Sequence, residues 1–432
     1  MTYIGFDYGT SHCAAGLATA EGVRMAALDE GAPLLPSMLW APDVRFDLPL
    51  DAQGRIRTDS DAFGALRFGS EALADYLRAP SRGYFVKSPK SFLGAPGLLP
   101  VVRERFERVV GAMMACVRLR AERSLELEIR GAVIGRPVNF QGPVGAVENE
   151  QALDMLRRAA HLAGFAEVSF LFEPLAAALE YEARLTRNER VLVVDVGGGT
   201  TDCSLVAVGP GHRTAHDREP DMLGHSGERL GGNDYDQALA QAAVVPQLGW
   251  QGALRSGLPV PNHYLVDAIT INDVNAQARF YSAGTGERLA QLRDDALEPQ
   301  GLDRLLALQQ GRGTYRLLRE VEQAKIELSR APQAGISLDF LEQGLAVTAH
   351  RSQLDQACVR LRQRLQDAVS ALRSAQQSPD LVYLTGGMAQ SPVVRTALAE
   401  VLGHLPIRDS DHFTSVTEGL ALWARQRHGS PV

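Results

Sequence analysis

Apolar positions along this chain follow two habits: short unbroken runs that end on an acid or a glycine, and longer stretches at helical spacing. Val191-Leu192-Val193-Val194 is the clearest short run. It is continuous and β-branched, which predicts a strand buried on both faces. It leads into Asp195-Val196-Gly197-Gly198-Gly199-Thr200-Thr201-Asp202, and apolar residues resume at Cys203-Ser204-Leu205-Val206. A strand on either side makes the glycines the turn of a hairpin. The same order recurs at Ile4-Gly5-Phe6-Asp7-Tyr8-Gly9-Thr10-Ser11-His12-Cys13, with the step from Asp to Cys two residues shorter. Leu381–Leu384 followed by Thr385-Gly386-Gly387 uses the strand-then-glycine design a third time.

Helical spacing of Phe106, Val109, Val110, Met113, Met114 and Val117 predicts a packed helix from Arg103 to about Leu127. A strand over Gly131–Gly135, a helix over Glu148–Gly164 and a strand over Val168–Phe172 follow. That last strand ends on Glu173-Pro174, ahead of a helix over Leu175–Leu185. Further helices are predicted at Asp234–Val245, Tyr315–Ser329, Arg351–Arg373 and Val416–Arg427. Pro42–Ala62 and Gly209–Glu219 read as surface loops, and His212 and His216 as solvated loop histidines. Residues 246–312 read as a peripheral subdomain of no assigned role.

Asp195 stands at a strand tip, where ligands collect in open α/β sheets. Successive glycines let backbone N–H groups line up around phosphate oxygens, and Thr200 adds a hydroxyl. A single glycine run would ordinarily be a turn at a sheet edge. Two hairpins, each with an acid and a Gly-Thr, instead form a clamp for a polyphosphate and its metal. A dinucleotide fingerprint needs a helix after the glycines, and G-x-x-x-x-G-K-[ST] does not occur. Three other features stay open on the residues alone. Phe85–Gly94, with Lys87 and Lys90, fits a solvated basic loop better than a pair of lysines reaching into a cleft. Glu173 fits a helix-entry residue and a working carboxylate equally. Glu322, Lys325 and Ser329 share one helix face, where a Glu–Lys pair is usually a surface salt bridge.

A length of 432 residues allows about three domain-sized units or two large lobes. Hydrophobic residues at 45% with 22% charged residues match a folded chain rather than a disordered one. A net charge of −7 with scattered Lys and Arg argues against a nucleic-acid surface. No apolar run approaches the ~20 residues of a membrane span. The first residues already read as a core strand, so no signal peptide is expected. Cys13, Cys116, Cys203 and Cys358 lie far apart, and read as small buried thiols in a reducing cytoplasm.

Taken together, Gly5–Cys13, Phe85–Gly94, Glu173-Pro174-Leu175-Ala176-Ala177-Ala178, Asp195–Asp202, Leu230–Asp236 with Glu322–Ser329, and Thr385–Pro392 resemble the ATPase domain of the heat-shock protein 70 (DnaK-type) family. Nearly the whole chain is covered, and the likeness extends to the shortened YegD-type bacterial members through the Phe-Val-Lys-Ser-Pro-Lys-Ser-Phe-Leu-Gly loop. The resemblance implies an α/β, two-lobed actin-like ATPase fold, a duplicated ribonuclease-H-like motif with a nucleotide cleft between the lobes. Lobe I would be residues 1–188 joined by a helix at 408–432, and lobe II residues 189–407 with a subdomain over about 232–335.

It further implies ATP or ADP with Mg²⁺ as cofactors. Asp7 and Asp195 would hold the metal through water, and Lys90, Glu173, Asp195, Thr200 and Asp7 would serve catalysis. Gly9, Thr10, Ser11 and His12 would meet the phosphates from one side, and Gly197, Gly198, Gly199 and Thr200 from the other. Gly232, Asn233, Glu322, Lys325, Ile326 and Ser329 would border ribose and adenine, and Gly386, Gly387, Met388 and Gln390 would close the pocket. Ile326 and Gln390 stand where the family has arginines, and Phe413 where it has an acid. The linker and β-sandwich substrate domain of the chaperones are not in this sequence. The function so implied is a slowly hydrolysing, chaperone-like nucleotide switch with an unidentified protein partner or client. A small-molecule kinase on the same fold, or an actin-like filament or scaffold, are the alternatives.

Overall fold

The computed structural model of the chain describes residues 2–43, 46–80, 82–93, 99–140, 146–271, 273–373, 378–403, 405–409 and 414–429; Gly94 and Phe413 lie outside them. The chain divides into two compact units. One comprises residues 1–229, 365–389 and 398–432, and the other residues 230–364 and 390–397.

The first unit contains two sheets of one design. In the first, the order is Gly22–Met25, His12–Thr19, Tyr3–Tyr8, Gly131–Arg136, Glu167–Phe172. Its first three strands are antiparallel and the last two join in parallel. In the second, Met222–Glu228, Thr201–Val208 and Glu189–Val196 form the antiparallel meander, and Leu381–Thr385 and Ile407–Asp409 the parallel extension. This repeated topology is the duplicated α/β motif of the actin-like ATPase class. Both glycine turns close hairpins, with Asp7 opposite Ala14 and Asp195 opposite Asp202.

Packing follows the burial pattern of the strands. Val191 to Val194 are all fully buried or nearly so, as a two-sided strand requires. Helices Pro100–Leu125 and Ala146–Leu162 cover the first sheet through Val110, Met113, Met114, Met155 and Leu156. Helices Glu173–Glu182 and Ser415–His428 pack on each other over a second cluster that includes Val133, Val193, Leu420 and Trp423. Two missing side chains let the Ser415–His428 helix come close, one to the strand Tyr3–Tyr8 and one to the helix Glu173–Glu182. A Cβ on Gly5 would lie 2.2 Å from Ala421 N, and one on Gly419 would lie 1.8 Å from Ala176 O.

Several elements differ from the sequence expectation. The Glu173 helix begins at Glu173 itself, because Pro174 suits the first turn. Arg351–Arg373 is two helices, Arg351–Ala357 and Val359–Arg373, broken at Cys358. Residues 246–312 hold four helices in the described part, Asn262–Ile269, Val274–Phe280, Ala283–Asp295 and Gln300–Gln310. Within Pro42–Ala62, buried Phe46, Leu48 and Ile56 anchor the loop to the core.

The Gly209–Glu219 loop is also pinned. Arg218 is 2% exposed and donates to both carboxylate oxygens of Glu182, at 3.0 and 2.9 Å, and to Asp221. His212 is thus not simply solvated, since its Nδ1 lies 2.7 Å from Asp221 Oδ1. The buried cation forces this order, since an unpaired guanidinium in the interior costs several kcal/mol.

Gly419→Ala tests the helix packing. Alanine in an exposed helix would gain about 1 kcal/mol over glycine. Here overpacking reverses the sign, and a loss of about 1–3 kcal/mol in urea unfolding is expected.

Candidate functional site

The two turns meet in the first unit. A Cβ on Gly198 would lie 1.8 Å from Ser11 Oγ, and one on Gly199 would lie 3.2 Å from Thr10 Cγ2. A side chain at either glycine would have to displace Ser11 or Thr10. Gly9 is equally constrained, its Cβ position being 2.3 Å from His12 O. Gly197 N–H donates to Thr200 O at 2.9 Å and closes the second turn. The strand Leu381–Thr385 brings in a third backbone segment: Gly386, at φ +87, would place a Cβ 2.3 Å from Asp195 Oδ1. Met388 N–H donates to Val196 O at 3.1 Å, so Gly386 to Met388 lie over the end of the Asp195 strand.

Lys90 arrives from a separate three-stranded sheet. Strand Tyr84–Lys87 runs into Ser88, which is left-handed at φ 57, and then into the single-turn helix Pro89–Phe92. Lys90 Nζ donates to Glu173 Oε1 at 2.6 Å, with side chains 8% and 13% exposed. Gly135 makes room for that carboxylate, since a Cβ there would lie 3.0 Å from Glu173 Cγ. Lys90 is therefore a buried, paired cation. The solvated basic loop, favoured on the residues alone, is overturned for Lys90.

Electrostatics describe a site with too much negative charge. Burial, then Glu173 and Asp195, push the Asp7 carboxyl up to about 7 against the opposing pull of Lys90. Asp195 is pushed up to about 7 by burial, Glu173 and Asp202. Asp202 reaches about 7 through burial and Glu173, although the Thr200 hydroxyl donates to it. Burial works against the Lys90 ammonium, yet Glu173 and Asp7 hold its pKa above the ordinary value. Four acids thus act on one lysine.

This donor set fits Mg²⁺. Added divalent charge would stabilise the ionised carboxylates, whose pKa values repulsion and burial raise. Among the described residues no three His, Cys, Asp or Glu side chains converge tightly enough to cage a metal. A cation that keeps several waters is the kind such a site suits.

Asp202 and Ser37 were missed in the sequence. Asp202 had a usable signal, because a hairpin centred on the glycines pairs it with Asp195. Ser37 had none beyond its place after Pro36; it donates from Oγ to Gly9 O at 2.7 Å.

The second unit gathers other predicted residues. Lys325 is 7% exposed and ion-paired to Asp236 at 2.8 Å, and it also donates to Gly232 O at 3.2 Å. Its ion pair with buried Asp236 takes Lys325 out of the surface-pair reading. Asn233 is buried beside Gly232, and Asp234 accepts from Gly231 N–H at 2.8 Å to start the helix Gly232–Ala243. Glu322 and Ser329 are half-buried on or just after the helix Thr314–Leu328, Ile326 is 50% exposed, and Gln390 is exposed.

A family model described as Hsp70 protein matches residues 104–246 and 297–430, well over half of the chain. The chain belongs to the Hsp70 family. Members of the Hsp70 family are ATPases that bind ATP with Mg²⁺. Among curated relatives, the chain is 26% identical over 439 residues to a chaperone protein HscA homolog of Cupriavidus necator, covering 99% of this chain and 58% of that one. It is 28% identical over 437 residues to the HscA homolog of Delftia acidovorans, with the same coverage. The chaperone protein dnaK1 of a Nostoc species is 28% identical over 307 residues, 68% of this chain and 35% of that protein. The chain therefore spans 58% of the length of its HscA-type Hsp70 relatives. Among the described residues, no helix is long and apolar enough to cross a membrane.

Raised carboxyl pKa values have a pH consequence. A folded acid with pKa near 7 binds more protons than its unfolded form, so stability is greatest below about pH 4 and falls as pH rises through about 7. Asp195→Asn removes that loss. In thermal unfolding of metal-free, nucleotide-free protein, the variant should gain on wild type at about pH 8 and not at about pH 4. An equal gain at both would contradict the charge account.

Proposed function

We propose that this Hsp70-family chain binds Mg·ATP on the Asp7 and Asp195 turns and hydrolyses it slowly, as a nucleotide switch read by a protein partner. The observation that carries this reading is the contact of the Gly9–Ser11 and Gly197–Thr200 turns beside the buried Lys90–Glu173 pair. Backbone N–H groups of Gly9, Thr10, Ser11, His12, Gly198 and Gly199 are proposed to hold phosphate oxygens, with Gly197 bordering them and Thr200 on the γ-phosphate. Asp7 and Asp195 would hold the metal's water shell. Mg²⁺, when bound, supplies charge neutralisation at the phosphate oxygens.

Lys90 has three N–H donors and gives one to Glu173. The other two suit a γ-phosphate oxygen and the attacking water, where a fixed cation stabilises charge as the bond to the leaving phosphate breaks. Glu173 accepts from Lys90 through Oε1, and its carboxylate would orient the water. Bond-breaking would need little proton transfer before the transition state, so placement and charge dominate.

Glu322, Lys325, Ser329, Gly232 and Asn233 remain the proposed ribose and adenine contacts, with Gly386, Gly387, Met388 and Gln390 closing the pocket. Division into lobe I and lobe II, kinship with the YegD-type members, and a chaperone-like role belong to the same proposal. The HscA and dnaK1 relatives are named chaperones, which supports that role at a distance.

Single-turnover ATP hydrolysis tests the reading. Lys90→Ala should slow hydrolysis by about 100-fold while ATP binding changes less than about tenfold. Asp7→Asn with Asp195→Asn should abolish the Mg²⁺ dependence of ATP binding. Equal hydrolysis in wild type and Lys90→Ala would remove Lys90 from the mechanism. Label appearing on an added metabolite rather than as free phosphate would favour the kinase alternative.

Ile326 offers a second test. Its exposure leaves space for a longer side chain. Restoring a guanidinium that stacks on adenine is worth about 1 kcal/mol. Ile326→Arg should then tighten ATP about fivefold by calorimetry and leave inorganic triphosphate unaffected.

A further inference from the structure

Ser37 lies at the junction of two sheets. Leu35–Pro36 pairs with the strand His12–Thr19, through His12 opposite Pro36. Met38–Ala41 pairs with the strand Tyr84–Lys87, through Met38 opposite Lys87. Ser37 is the single residue between them and is 1% exposed. Each of its polar groups is used. Its N–H donates to Ser11 O at 2.8 Å, its Oγ donates to Gly9 O at 2.7 Å, and its carbonyl accepts from Ser88 N at 2.8 Å. Cys13 Sγ lies 3.4 Å from Oγ and can donate to it, because burial holds that thiol protonated. At the far end of this chain of bonds, Ser88 keeps a left-handed backbone that a non-glycine residue rarely holds unaided. Lys90 is two residues further on.

We propose that Ser37 is a positioning residue that sets the Gly9–Ser11 phosphate turn against the Ser88–Lys90 loop, so that phosphate and lysine keep one register. The proposal rests on the hydrolysis reading above. Its consequence is a split between affinity and rate. Without the hydroxyl, Gly9 O loses its partner and the turn shifts relative to Lys90, while most phosphate-facing N–H groups stay in place. Placement errors of this kind fall on the transition state.

The experiment uses Ser37→Ala, Lys90→Ala and the double variant. Ser37→Ala should slow single-turnover hydrolysis by about tenfold, the worth of one buried hydrogen bond, with the Kd for ATP changed less than about twofold. In the Lys90→Ala background it should change nothing further, because Ser37 acts through Lys90. Amide hydrogen exchange of nucleotide-free protein supplies a readout independent of activity. Ser37→Ala should raise exchange in residues 9–12 and also in residues 86–92. Exchange rising only in residues 9–12, an unchanged rate in Ser37→Ala, or a loss that multiplies with that of Lys90→Ala would each overturn the proposal. If wild type itself hydrolyses no ATP, the hydrolysis reading fails, and the exchange pattern still decides whether Ser37 couples the two segments.

Discussion

Like charge crowded into a dry place is the constraint on which this structure depends. Asp7, Glu173, Asp195 and Asp202 act on one another across three strand ends and a helix start, with Lys90 as the cation that opposes them. A site arranged only for stability would not hold three carboxylates whose pKa values sit near 7. Such an arrangement stores unfavourable energy that a bound cation can release, and perturbed groups of this kind mark places where chemistry is done. Lys90 alone cannot neutralise the set, but its pair with Glu173 keeps the cluster compatible with folding.

Holding those charges in place falls largely to backbone contact. Val196 O against Gly386 and Ala176 O against Gly419 are approaches no Cβ would permit, and a Cβ on Gly198 would displace the Ser11 hydroxyl. Each joins segments far apart in sequence, so each glycine sets a distance between whole elements. The helix Glu173–Glu182 is tied at both ends by buried charge. Glu173 meets Lys90 at its start, and Glu182 meets Arg218 at its close. Buried ion pairs of this sort add little net stability over apolar packing, yet breaking one partner is costly, so they favour one arrangement over its neighbours. The helix that presents a proposed reacting group is thereby kept from sliding.

Membership of the Hsp70 family, at 26–28% identity to the HscA homologs, shows how little side-chain likeness this scaffold needs. Within this chain the order of strands, acids and glycines is repeated in both sheets. Ile326 stands half-exposed on a helix whose Lys325 is buried.

The sequence by itself determined the repeated strand–acid–glycine–hydroxyl units, their hairpin turns and the α/β class, because each depends on neighbours a few residues apart. Period and turn chemistry are local, so they survive in a linear reading. It also contained Lys90 and Glu173, which the family resemblance assigned to catalysis but which their own neighbourhoods left ordinary, as a lysine in a loop and a glutamate at a helix start. Only the tertiary structure decided that these two pair, since 83 positions separate them along the chain. The same holds for Arg218 with Glu182, for Lys325 with Asp236, and for the three bonds of Ser37. Charge and hydrogen-bond partnerships are settled by which surfaces meet after the strands have assembled, and no residue's own neighbourhood announces that meeting.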